Sequence, residues 1–158
     1  VGDGLFVLKN SDGNTMKELD TRDNALLAMR PAIPAVEKIA SDEAIPSDSL
    51  EYFLHTTLRP ILKLQHSPIV SICAVYIAKY RGAFLQKSTG EQLEFITNSL
   101  KKDTALRNLV VGLCVGCFTS EELDYYIVND NNAELNKRII ELAAKRISDS
   151  LGELKMLL

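Results

Sequence analysis

Three groups of residues in this sequence have types and spacings that suit chemistry. The first is Cys114-Val115-Gly116-Cys117, a C-x-x-C. Such a pair exchanges disulfides when a helix N-terminus lowers its thiol pKa, and forms half of a zinc site when a second pair completes the tetrahedron. Here it closes an apolar helical run, where the helix dipole opposes an anion. A zinc site would have to draw on Cys73 with His55 or His66. The other reading is that the cysteines are small buried residues, which is how free cysteine behaves. We expect no metal, no other cofactor and no catalytic residue.

The second group is Arg59, Lys63 and His66, four and three residues apart and so on one helical face. The strip suits an anion, or places His66 as a general base. The alternative is a solvated cationic face opposite Leu58, Ile61 and Leu62. Arg107 stands alone in the most apolar stretch of the chain. It either pairs with Asp103 one turn earlier or holds a carboxylate or phosphate in its guanidinium fork.

The elements that must position these residues are helices. Asp103 caps a run over 104–117 that is apolar nearly all round, which predicts the central, most buried helix. Gly112 and Gly116 lie one turn apart in it and predict close approach by a neighbouring helix. Ser88 with Glu91, Thr119 with Glu122 and Asn131 with Glu134 are capping-box pairs, predicting starts near 89, 120 and 132. Leu50, Phe53, Leu54, Leu58, Ile61 and Leu62, then Ile69, Val70, Cys73, Ala74 and Ile77, carry one helical stripe over 48–81. Pro60 and Pro68 break or kink it near 57–60 and 67–68, with Thr57 and Ser67 as caps for each restart, and Gly82 closes it. Thr21 caps a short helix that ends before Pro31. Residues 31–46 read as a connector with one turn near Val36–Ile39. Residues 1–20 read as an arm with at most one strand, because a lone hairpin is marginal in water.

The C-terminal helix carries Ile140, Ala144, Ile147, Leu151, Leu154 and Leu158 alternately four and three apart, a heptad seam. That seam packs on the chain's own bundle or on a second copy. The expected architecture is therefore all-α: an N-terminal arm over 1–20 and one domain over 21–158, a bundle of five or six helices.

Composition narrows the function. A chain of 158 residues with 46% hydrophobic and 25% charged residues fits one folded domain. Its net charge of −3, with no basic block, disfavours nucleic acid and anionic membranes. The apolar stretch Leu109–Phe118 is about half a membrane span. Three cysteines are too few and too odd for a disulfide framework, and no signal segment is visible, so a cytoplasmic setting is expected.

Thr21-Arg22-Asp23-Asn24 through Arg30-Pro31-Ala32-Ile33-Pro34, and Thr57-Leu58-Arg59-Pro60-Ile61-Leu62-Lys63-Leu64-Gln65, form recognisable blocks. So do Lys102-Asp103 with Leu106-Arg107-Asn108, Phe118-Thr119 with Glu121-Glu122, and Leu135-Asn136-Lys137-Arg138. Together, over about residues 21–150, they resemble a family of small, uncharacterised Bacteroidota proteins that genome annotation often labels glyoxalase. Glyoxalase I enzymes hold a metal by His, Gln and Glu from strands, and glyoxalase II enzymes need a His-rich binuclear motif. Neither pattern has a counterpart here, so the resemblance carries over no site residue.

The expected function is a non-enzymatic helical interaction protein that forms a homo-oligomer through the C-terminal seam. The alternative is a binder of a small anionic ligand, or an enzyme, with a pocket around Arg107 and with Arg59, Lys63 and His66 nearby.

Overall fold

The computed structural model describes residues 7–9, 15–17, 21–128 and 131–158. The chain is all-α. Strands β1 (Val7–Lys9) and β2 (Thr15–Lys17) pair antiparallel with Leu8 opposite Met16, one strand more than the sequence reading allowed. The rest of segment 1–20 lies outside the described residues.

The six helical stretches expected from the sequence are present. They are α1 (Thr21–Met29), a broken segment from Leu50 to Ala78, α7 (Thr89–Lys102), α8 (Thr104–Val115), α9 (Ser120–Ile127) and α10 (Asn131–Asp149). Three short helices add to them: α2 (Pro34–Ala40), α6 (Arg81–Gln86) and α11 (Leu151–Met156). The connector over 31–46 thus holds two turns of helix rather than one, begun by Pro34, whose missing N–H costs nothing in a first turn. Gly82 does not close the long segment. That segment ends at Ala78, and Gly82 lies inside α6.

Local signals set most starts. Ser88 Oγ accepts from Glu91 N, Asp103 Oδ1 accepts from Leu106 N at 2.9 Å, and Thr119 forms a complete capping box with Glu122. Asn131 departs from its expected role. It lies within α10, and its side-chain amide donates to Tyr125 O at 3.0 Å.

The proline-containing segment is divided into α3 (Leu50–Phe53), a π turn (Leu54–Leu58), α4 (Arg59–Leu64) and α5 (His66–Ala78). Pro60 has no N–H to give to Thr56 O, and the ladder widens just before it: Arg59 N reaches back five residues to Leu54 O. Thr57 therefore caps nothing. The second break falls at Gln65, where the axes of Leu50–Leu64 and His66–Ala78 meet at 64°, and Pro68 sits in the first turn of α5 without a Ser67 cap.

The core lies between α4, α5, α7, α8 and α10. Its largest fully buried side chains include Phe84, Phe118, Ile61, Ile77, Ile139 and Ile147. α10 is the central helix: it packs against α5, α7, α8, α9 and α11. α8 is not, contrary to expectation. Leu106, Val110, Val111 and Cys114 face the core, while Ala105, Leu109 and Gly112 are exposed. Among the described residues nothing lies within 4 Å of where a Gly112 Cβ would stand, so none of the described helices makes the close approach predicted at Gly112. No single helix among the described residues is long and apolar enough to cross a membrane.

Candidate functional site

The cysteines are buried and free. Burial pushes the Cys73 thiol up to about 12, and burial with the neighbouring Cys117 does the same to Cys114. Cys117 Sγ instead receives Gln65 Nε2 at 3.2 Å. A buried Cys114 thiol held protonated near a helix C-terminus is unsuited to disulfide exchange.

The cationic strip is dispersed. The bend at Gln65 turns His66 away from the line of Arg59 and Lys63. His66 joins α5 to the C-terminal helices: Nε2 lies 3.0 Å from Glu153 Oε2, and Nδ1 lies 3.5 Å from Arg146 Nη1. An arginine only donates, so His66 Nδ1 accepts and Nε2 carries the proton given to Glu153. This is a satisfied structural histidine, oriented by a carboxylate 87 residues away that local sequence could not reveal. Lys63 is exposed. Arg59 alone lines a cavity, between the π turn and α10.

Arg107 does not make the expected pair with Asp103. Asp103 Oδ1 serves the backbone of Leu106, and among the described residues no ion pair joins Asp103 to Arg107. Arg107 also lines neither of the two cavities described below, and neither of them brings Arg59, His66 and Arg107 together. The heptad seam is occupied by the chain itself. Ile140, Ala144, Ile147 and Leu154 are core residues, and Leu151 and Leu158 pack against that core. Heptad spacing marks a buried face but does not say whose core it joins.

A polar cluster that the sequence reading did not pick out lies beside the α8–α9 turn. Arg30 Nη1 donates to Glu122 Oε2 at 2.8 Å, and Nη2 reaches Glu122 Oε1 and Cys117 O. Thr57 Oγ1 donates to Glu122 Oε2 at 2.7 Å, and Thr119 N donates to Oε1 at 2.8 Å. The pair is almost out of solvent, with side chains 10% and 15% exposed. Nearby, Arg22 donates to the carbonyls of Phe118 and Gly116, and buried Asp23 accepts from Ser120 N. Apart from Arg30 Nε, which is buried without a hydrogen-bond partner, these groups satisfy one another and tie the segment around α1 to the π turn and the α8–α9 turn.

Glu122 gives this cluster an acid limit. Burial is the largest influence and alone would raise its pKa. Hydrogen bonds from Arg30, Thr119 N and Thr57, with the Arg30 charge, outweigh it and hold the carboxyl below its ordinary 4.5. A folded pKa below the unfolded one stabilises the fold in full above the unfolded value, and the gain is lost as pH falls through the folded value. The stability difference between wild type and Glu122→Gln is therefore expected to be constant from about pH 7 down to about 4.5 and to shrink below it. Urea denaturation across that range measures it. A difference unchanged at about pH 3 would contradict the assignment.

The surface feature with most to offer lies between α5 and α8. Ser71, Ile72, Val75 and Tyr76 on one side, with Ala105, Leu106 and Leu109 on the other, line a groove of about 410 Å³. Val75 is 70% exposed and Leu109 52% exposed, large apolar side chains left open to solvent by the described residues. Lys79 and Asp103 stand together at one end, where Tyr76 faces Asp103. Sequence held a signal for this groove: α8 is more apolar than a helix with one buried face requires, and its glycine lies on the surplus side.

The class defined by this architecture is an all-α helical domain. No protein-family model matches the chain, and neither do curated proteins or solved structures.

Proposed function

We infer that this protein is a non-enzymatic helical interaction module that self-associates through the α5–α8 groove. The carrying observation is the exposed apolar pair Val75 and Leu109, flanking a recess beside Ser71 and Ala105, with exposed Gly112 one turn beyond Leu109 on α8. Exposed apolar surface of this kind marks an interaction site on a folded domain. Ridge and recess lie on one face, so a twofold-related copy can set its ridges into the recesses of the first, which is what an isologous contact requires. The charges at the groove end, Lys79 and Asp103, have opposite sign and do not repel a second copy. Three free buried thiols support work in a reducing setting such as the cytoplasm.

Sedimentation velocity at micromolar concentration tests this reading. The wild type is expected to be a dimer and Leu109→Glu a monomer of unchanged helicity. Gly112→Ala, which meets no atom within the chain, is expected to raise monomer stability by about 0.5–1 kcal/mol while weakening association. A monomeric wild type would end the proposal.

A further inference from the structure

The π turn Leu54–Leu58 serves two sides of the molecule. A helix gives up α geometry in a single turn at a cost, and such turns concentrate at functional sites. On the inner side the turn presents Thr57 to Glu122. On the outer side it presents His55, and Arg59 follows, with Nη1 3.1 Å from His55 Nδ1. Arginine only donates, so His55 Nδ1 accepts and the ring proton sits on Nε2. His55 therefore fixes the guanidinium without neutralising it. Among the described residues no carboxylate forms an ion pair with Arg59, although the side chain is half-buried.

α10 supplies the opposite wall. Arg138, Glu141, Leu142 and Lys145 line the same cavity of about 270 Å³, with Leu54 across from them. Lys145 is occupied by Asp149 at 2.9 Å, and Arg138 lies between Glu134 and Glu141. Arg138 Nε is buried and has no hydrogen-bond acceptor, because Glu134 Oε1, 3.1 Å away, is out of line with it. The cavity thus holds one cation, Arg59, that makes no ion pair among the described residues, beside the apolar side chains Leu54 and Leu142, while Glu141 in the same wall is held by Arg138. Its volume falls just under the usual range for small-molecule pockets, which sets a small ligand.

We propose that the cavity between the π turn and α10 binds a small amphipathic monocarboxylate, its head on the Arg59 guanidinium and its short hydrocarbon tail against Leu54 and Leu142. A planar carboxylate matches the guanidinium fork, and one negative charge matches one unneutralised cation. A phosphate dianion would need a second free cation, and it would leave the apolar walls without a partner.

Octanoate is the probe, followed by NMR at the two histidines, His55 and His66. Saturable movement of the His55 ring signals with His66 unmoved is the expected result. Arg59→Gln is expected to weaken binding about tenfold or more, and Arg59→Lys to restore part of it, because a charge-assisted bond is removed and then partly replaced. Octanol and inorganic phosphate, each carrying half of the recognition, are expected to bind far more weakly. The proposal is overturned if His55 does not respond at millimolar octanoate, if Arg59→Gln binds as wild type does, or if phosphate alone matches octanoate. It is also overturned if Leu109→Glu abolishes the binding, since the ligand would then lie in the α5–α8 groove. Retained octanoate binding in a monomeric Leu109→Glu separates this site from the self-association surface.

Discussion

Glu122→Ala is expected to lower the unfolding free energy by about 3–5 kcal/mol, the cost of removing one partner from a buried ion pair. The size follows from what is left behind. Arg30 would keep its charge at 10% side-chain exposure with Cys117 O as its nearest remaining acceptor. Thr57 Oγ1 would lose the acceptor on which the π turn is aimed, and Thr119 N would lose the reciprocal half of its capping box. Arg30→Met addresses the same contact from the other end. The double variant Arg30→Met/Glu122→Ala is expected to cost less than the sum of the two single changes, because removing both charges leaves neither stranded. Chemical denaturation of the four proteins measures the coupling. Strict additivity would mean that the two side chains do not act as a pair.

Phe118→Ala is expected to cost a further amount of the same order, about 3–5 kcal/mol, from lost burial and the cavity left behind. Phe118 is completely buried at the turn between α8 and α9. Its ring stands edge-on to Phe53 at 5.4 Å and to Tyr126 at 5.7 Å, so it joins α3, α9 and the end of α8 in one contact. Phe118→Leu keeps much of the volume and is expected to recover a large part of the loss. A thermal or urea melt decides. A cost below about 1 kcal/mol would show that the turn collapses around the missing ring.

Features that depend on a few adjacent residues were legible in the sequence. Asp103, Ser88 and Thr119 announced their helices because a cap is a contact between residues three apart. Pro60 announced a disturbance for the same reason, but not its kind. The π turn is tied to Glu122, 65 residues onward, and no local pattern carries that distance. His66 with Glu153, and Asp23 with Ser120, escaped for the same cause. The error over α8 was different. Its composition counts apolar side chains correctly but does not say how many of its faces meet neighbours, and one face meets none. The seam on α10 likewise gave the buried face and left the partner open. In the cavity beside the π turn, Arg59 was in view beforehand as an anion-binding residue, and its histidine partner is His55 on the π turn rather than His66 beyond the bend.

The manner in which α1 is held has a consequence for how the domain opens. α1 buries one residue, Asp23, and its long-range hydrogen bonds include Arg22 to Phe118 and Gly116, Asp23 to Ser120 and, from just beyond its end, Arg30 to Glu122. These four close loops of more than 90 residues, whereas α7, α8, α9 and α10 pack against elements closer to them in the chain. Closing long loops is the slow, entropically costly part of assembly, so α1 docks after the bundle has formed. The same fastening is ionic where the bundle is apolar. Acid that protonates Glu122 loosens α1 before it reaches the core, and the element detaches as a unit with an opening free energy of its own, smaller than that of global unfolding.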